Sequence, residues 1–305
     1  TEFEKPLPFS VRILNPSLEV VQNEDYTIEI EILGEEIPTS FFIVTDGTRY
    51  PMEKVNNNLF CHSFRKVGTT VDFHIEGGEF KSKNLSLEVR PKALLLHYEA
   101  NVSFPDYMKR PSEKLSDFVY ANLPVGSLIE LLMYVRNTDK IRILYDSVEE
   151  GRHSENGMIR FNKTLFHSTD LHLYPSNSFF HDDEGLLIRF ELTADEFPVI
   201  KSEKLNPEPF NKWHYFNGEI SDDYGFTKLE AVFTPAGETG NTSEGTFRQA
   251  LELIPDRLLQ VFYFSVNLDS LKEKSEKNWL LYFEISDNDR VSGPKKSRSQ
   301  TFQLN

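Results

Sequence analysis

The feature that most constrains this chain is a period of two. In Tyr26-Thr27-Ile28-Glu29-Ile30-Glu31-Ile32 every second side chain is apolar and those between are polar. An extended strand points successive side chains to opposite faces, so this segment has one apolar and one wetted face. Phe9-Ser10-Val11-Arg12-Ile13 alternates in the same way. Residues 40–44, 59–64, 70–75 and 85–89 are further strand-length runs, with Asp46-Gly47 as a hairpin turn and Gly77-Gly78 as a second break. About seven short strands with turns every ~8–12 residues make the pattern of a two-sheet sandwich. Pro91 marks its exit.

The same grammar recurs twice. In residues 92–197, strand-like runs cover 94–102, 128–135, 140–145, 158–162, 171–174 and 186–192, and residues 105–121 read as a loop with a short edge element. In residues 198–305, Pro207 and Pro209 lie in a leading linker. Strands follow at 213–221, 227–234, 246–254, 259–266, 279–286 and 299–304, with an exposed loop at 235–245 and one helical turn or charged loop at 269–277. The spacing of Leu and Ile over 249–259 also fits a short helix. Nowhere does helical periodicity run beyond about two turns. The expected fold is therefore all-β: tandem immunoglobulin-like antiparallel β-sandwich domains over 1–91, 92–197 and 198–305. The Pro-bearing seams argue against one long barrel.

Composition limits what such a chain does. Aromatics make up 13% of the 305 residues, with 25 Phe and 12 Tyr, enough for thin aromatic cores and unlike a disordered chain. The net charge is -15 and the acidic groups are spread along the chain, which reads as solubility and excludes a nucleic-acid partner. The densest basic cluster, Lys295, Lys296 and Arg298, is too short for a duplex site. Cys61 is the sole cysteine, so neither an intrachain disulfide nor a cysteine metal cluster forms; it reads as a partly buried filler. No apolar run approaches the ~20 residues of a membrane helix, and the N-terminal residues do not form a signal peptide. The expectation is a cytoplasmic protein or a piece cut from a longer one, with no membrane contact by this stretch.

Catalytic patterns are missing from the sequence. The eight histidines form no helical pair, and there is no nucleotide-binding glycine motif, P-loop or nucleophile elbow. Sequons at Asn84, Asn101, Asn162 and Asn241 matter only on a eukaryotic secretory route. Two acidic turns are the candidate site: Ser221-Asp222-Asp223-Tyr224-Gly225 and Ser286-Asp287-Asn288-Asp289. If residues 213–221 and 227–234 are strands B and C, and 279–286 and 299–304 are F and G, both turns lie at one end of the sandwich. Asp222, Asp223, Asp287 and Asp289 then crowd together, and like charges need compensation. Backbone N–H groups, the basic residues Lys295, Lys296 or Arg298, and a bound calcium ion are the three candidates. No metal or other cofactor is otherwise indicated. A carboxylate pair for glycoside hydrolysis is a further option, without an aromatic cleft to support it.

These same residues carry a resemblance. Residues 215–226 and 282–289, with Gly293-Pro294-Lys295 and residues 297–302, resemble a signature of an uncharacterised family of large Bacteroidetes cell-envelope proteins. Pro8-Phe9-Ser10-Val11, Asn15-Pro16 and Gln22-Asn23-Glu24-Asp25-Tyr26 resemble it too. Arg290 departs from the small or polar turn residue that the family pattern favours. The resemblance implies N-terminal membrane helices followed by an extracytoplasmic immunoglobulin-like region and a helical Gln- and Glu-rich region. This chain then becomes a fragment of a membrane-anchored protein on the periplasmic side of the inner membrane. No activity comes with the resemblance. The expected function is a non-catalytic structural or protein-interaction region. The alternatives are a carbohydrate-binding module, which a row of exposed aromatics on one sheet face favours, and an accessory domain of an envelope enzyme, which a deep polar pocket favours.

Overall fold

In the computed structural model the described residues are 7–34, 36–205, 212–236, 245–272 and 278–304. The Asn241 sequon, Pro207, Pro209, the N-terminal residues 1–6 and most of the loops at 235–245 and 269–277 lie outside them. The chain is all-β, built of tandem immunoglobulin-like sandwiches, and forms two compact units. One comprises residues 1–98, 132–160 and 171–187; the other comprises 99–131, 161–170 and 188–305. Residues of the middle block thus belong to both.

In the first unit, residues 9–90 form two sheets. One runs Phe9–Ile13, Tyr26–Gly34, Leu59–Phe64, Glu53–Lys54; the other runs Glu19–Val21, Leu85–Arg90, Val71–Gly77, Phe42–Thr45, Thr48–Pro51, with Phe80–Lys81 paired to Val71–Gly77. The alternation read from the sequence places Ile28, Ile30 and Ile32 in the core, opposite Ile43, Phe73, Ile75 and Leu87 from the other sheet. The unit also takes in residues 140–153 as a hairpin, with 140–144 paired to 172–176. Pro91 is fixed there by its carbonyl, which accepts from Asn177 Nδ2 at 2.9 Å, while Arg90 stacks over Phe179.

In the second unit, residues 199–304 form a three-stranded sheet and a five-stranded one. The first runs Val199–Leu205, Trp213–Ser221, Leu259–Asn267. The second runs Phe247–Leu251, Phe226–Pro235, Trp279–Asp287, Lys296–Arg298, with Phe302–Leu304 also on Trp279–Asp287. Between them Phe216, Phe262, Phe264, Phe233, Phe283 and Phe302 build an aromatic core. Gly218 is required by this packing. A β-carbon there would meet the Phe262 ring at 2.4 Å and the Lys201 carbonyl at 2.6 Å.

Three details depart from the sequence reading. Residues 199–205 are a strand, not linker, paired along their length with 215–221. Residues 249–259 hold the end of strand Phe247–Leu251 and then turn, and among the described residues of this region only Leu268–Lys272 is α-helical. The pairing is not uniformly antiparallel: Glu19–Val21 runs parallel to Leu85–Arg90, and Tyr120–Pro124 runs parallel to Leu186–Thr193. One expectation is corrected. The envelope-family resemblance implied membrane helices, yet among the described residues no helix is long and apolar enough to cross a membrane, and the α-helix has five residues.

Candidate functional site: the acidic turns

The two acidic turns meet because their strands are neighbours. Phe226–Pro235 pairs antiparallel with Trp279–Asp287, and Phe226 stands opposite Asp287 with a bulge before Lys228. The end of one turn is thereby set beside the start of the other. Asn288 Nδ2 donates to the Tyr224 carbonyl at 2.7 Å and ties them.

Each turn first neutralises itself. Asp222 Oδ2 accepts from the backbone N–H groups of Tyr224 at 3.0 Å and Gly225 at 2.7 Å. Gly225 sits at φ 117, which a side chain would resist. Asp289 Oδ1 accepts from Val291 N at 2.7 Å and Ser292 N at 3.0 Å. Asp287 Oδ1 accepts from Asp289 N at 3.2 Å and Lys295 N at 2.8 Å. These are the local side-chain-to-backbone bonds expected of Asp in turns.

The remaining charge converges on one ammonium. Lys295 Nζ lies 2.8 Å from Asp195 Oδ2, 2.9 Å from Asp287 Oδ2 and 3.0 Å from Asp289 Oδ2. All four side chains are largely or wholly buried. Burial works against the Lys295 ammonium, but its bonds to Asp195, Asp287 and Asp289 outweigh it and push its pKa up. Burial would raise Asp289; Lys295 and the Ser292 and Val291 N–H groups bring it below its usual value. Asp222 is pushed up by burial, more than its two backbone donors lower it. Asp195 and Asp223 are both raised, chiefly by burial. Tyr107 and Tyr224 pack edge to face beside them, ring centroids 5.9 Å apart.

Lys296 and Arg298 do not join this cluster. They reach over the outer face of the five-stranded sheet to Glu284, at 3.1 and 3.0 Å, where Arg248 also arrives at 2.8 Å. Burial would raise Glu284, and these three cations bring it down to about 2. Glu284 and Asp195 escape a sequence reading for different reasons. Alternation assigns Glu284 to the wetted face, and nothing local shows that three basic side chains from two other strands fold over it. Asp195 lies outside both turns, at the end of the middle block rather than in the last one.

Among the described residues no group of three or more His, Cys, Asp or Glu side chains is placed to hold a metal ion. The arrangement explains why: the Lys295 ammonium occupies the point where the carboxylates of Asp195, Asp287 and Asp289 converge. Cys61 is half-buried, and burial with Glu53 and Glu29 nearby pushes its thiol pKa up, opposite to an activated nucleophile.

No family model matches the chain. No curated protein matches it either. Among solved structures, the ectodomain of mouse nectin-like molecule 4 is similar over 94% of this chain and 95% of that one, at 8% identity and TM-score 0.34. Fibronectin(III)-like modules of Clostridium thermocellum CbhA are similar over 61% of this chain and 95% of theirs, at 8% identity and TM-score 0.31. A tetra-tandem repeat from the extending region of a large adhesion protein is similar over 97% of this chain and 74% of that one, at 9% identity and TM-score 0.28. These are likenesses of architecture, and no residue's role passes from them.

Proposed function

We propose that the chain is a non-catalytic interaction and spacer region, made of three sandwich modules divided near residues 91 and 197, within a larger extracytoplasmic protein. One observation carries the reading. Two of the four carboxylates that the sequence singled out, Asp287 and Asp289, converge with Asp195 on Lys295, so these three hold the tip of a module together and present no open pair to a substrate. Sheets that begin and end within residues 9–90 and within 199–304 support the modular division. An extracytoplasmic setting rests on fold analogy, since sandwiches of this kind are common in cell-surface domains.

The test is photo-crosslinking in cells of the source organism, using the full-length protein. A photoreactive amino acid replaces one exposed residue at a time, such as Val55, Phe166 or Leu187. At least one position is expected to give a discrete protein adduct that a neighbouring buried position does not. A set of positions on all modules that yields no adduct overturns the reading.

A further inference from the structure

From the outer face of the three-stranded sheet we infer a binding site for a neutral glycan. On that face the register sets Tyr215 opposite Ser265, Asn217 opposite Tyr263 and Glu219 opposite Val261. Tyr215 and Tyr263 are therefore diagonal neighbours on one side of the sheet, and Trp213 precedes Tyr215 by two residues on the same strand. All three rings are substantially exposed, Tyr263 at 76%. The alternation that buries Phe216, Phe262 and Phe264 places these aromatics in solvent. Three large rings gathered on one wetted face are not what solubility requires of a chain with net charge -15.

Beside the rings lies a shallow depression of about 350 Å³, lined by Lys201, Glu203, Asn217, Glu219 and Val261. That volume is at the lower end of the ~300–1,000 Å³ of small-ligand sites. The Asn217 side-chain oxygen is buried there, with no hydrogen-bond partner among the described residues. Flat apolar rings alternating with amide, carboxylate and ammonium groups match a sugar, whose C–H faces stack on aromatics while its hydroxyls donate and accept. A purely apolar protein surface laid here would strip water from Lys201, Glu203, Asn217 and Glu219 and return no hydrogen bonds. The lining carries one cation and two carboxylates, and the whole chain is acidic, so an anionic polysaccharide is repelled. The openness of the face suits an extended chain of sugars. This inference goes beyond the interaction reading and does not depend on the acidic turns.

The experiment is native affinity electrophoresis of the full chain in gels containing hydroxyethylcellulose, arabinoxylan or galactomannan, with alginate as the anionic comparison. At least one neutral polysaccharide is expected to retard the wild type, and Tyr263→Ala to weaken that retardation at least about fivefold, as for a central aromatic contact. Because Tyr263 is so exposed, the variant keeps its fold, which its melting curve verifies. Asn217→Ala weakens retardation as well. Trp279 is buried, so the accessible tryptophan signal is that of Trp213, and acrylamide quenching falls when the polysaccharide binds. The inference is overturned by no retardation in any neutral gel, by retardation unchanged in both variants, or by retardation in alginate alone. It is equally overturned if sedimentation shows a wild-type dimer that Tyr263→Ala dissolves, without glycan binding.

Discussion

Lys295→Met is expected to destabilise the sandwich of residues 199–304 by about 3–5 kcal/mol, the usual loss when one partner of a buried ion pair is removed. Three carboxylates touch this ammonium, and Asp195, Asp287 and Asp289 have side-chain exposures of 5%, 0% and 1%, so none can turn to water when it goes. The measurement is urea unfolding followed by tryptophan fluorescence. Both tryptophans, Trp213 and Trp279, lie in this sandwich, so the signal reports it selectively. In the wild type Asp289 has a depressed pKa, so its contribution is present above the unfolded value and lost as pH falls through the folded one. In the variant Asp195 and Asp289 lose their cation and the burial acting on both prevails, raising their folded pKa values above the unfolded ones. The deficit is then largest at neutral pH and shrinks on acidification toward pH ~5. Arg298→Ala is the contrast: Arg298 is exposed and Glu284 keeps Arg248 and Lys296, so the loss stays within about 1 kcal/mol. A Lys295→Met loss no larger than that of Arg298→Ala contradicts the assignment.

Phe283→Ala is expected to cost about 3–5 kcal/mol in the same transition. Phe283 is fully buried, and its ring lies 4.9 Å from that of Phe262, 5.6 Å from Phe264 and 5.8 Å from Phe216. These three rings stand on the facing three-stranded sheet and Phe302, 6.4 Å away, stands on the same sheet as Phe283, so the cavity left by truncation is walled by rings fixed on two layers and collapses poorly. Tyr282→Ala, one residue away on the outer face, is expected to cost much less. Equal losses at the two positions mean that the inner and outer faces of this strand are misassigned.

Much of this was legible in the alternation. Ile28, Ile30 and Ile32 fall in the core because an extended chain must put them on one side, and residues 213–221 and 279–287 follow the same rule. Taking the flanking strands as B, C, F and G put both acidic turns at one end of a sandwich, and the Asn288–Tyr224 bond ties the turns together. What the pattern could not carry was long-range pairing. Strand Val199–Leu205 hides in a stretch of alternating charge whose outer positions are Lys201 and Glu203, and it becomes a strand by pairing with residues 215–221. Asp195 enters the charge cluster through a contact 100 residues along the chain from Lys295. Of the three basic candidates, Lys295 alone turns to the acidic tip. It ends the turn and its own N–H is bonded to Asp287, whereas Lys296 and Arg298 are already in the strand opposite Ser286 and Glu284.

Lys295 closes the second acidic turn together with Asp195 and serves the fold. The most direct measurement is the thermal unfolding of the full chain, followed by tryptophan fluorescence, in millimolar calcium and then in excess chelator. A cation bound to the folded state alone must raise the melting temperature by mass action. With the ammonium already seated among Asp195, Asp287 and Asp289, the two curves are expected to coincide. A calcium-dependent rise of several degrees that chelator reverses contradicts the claim.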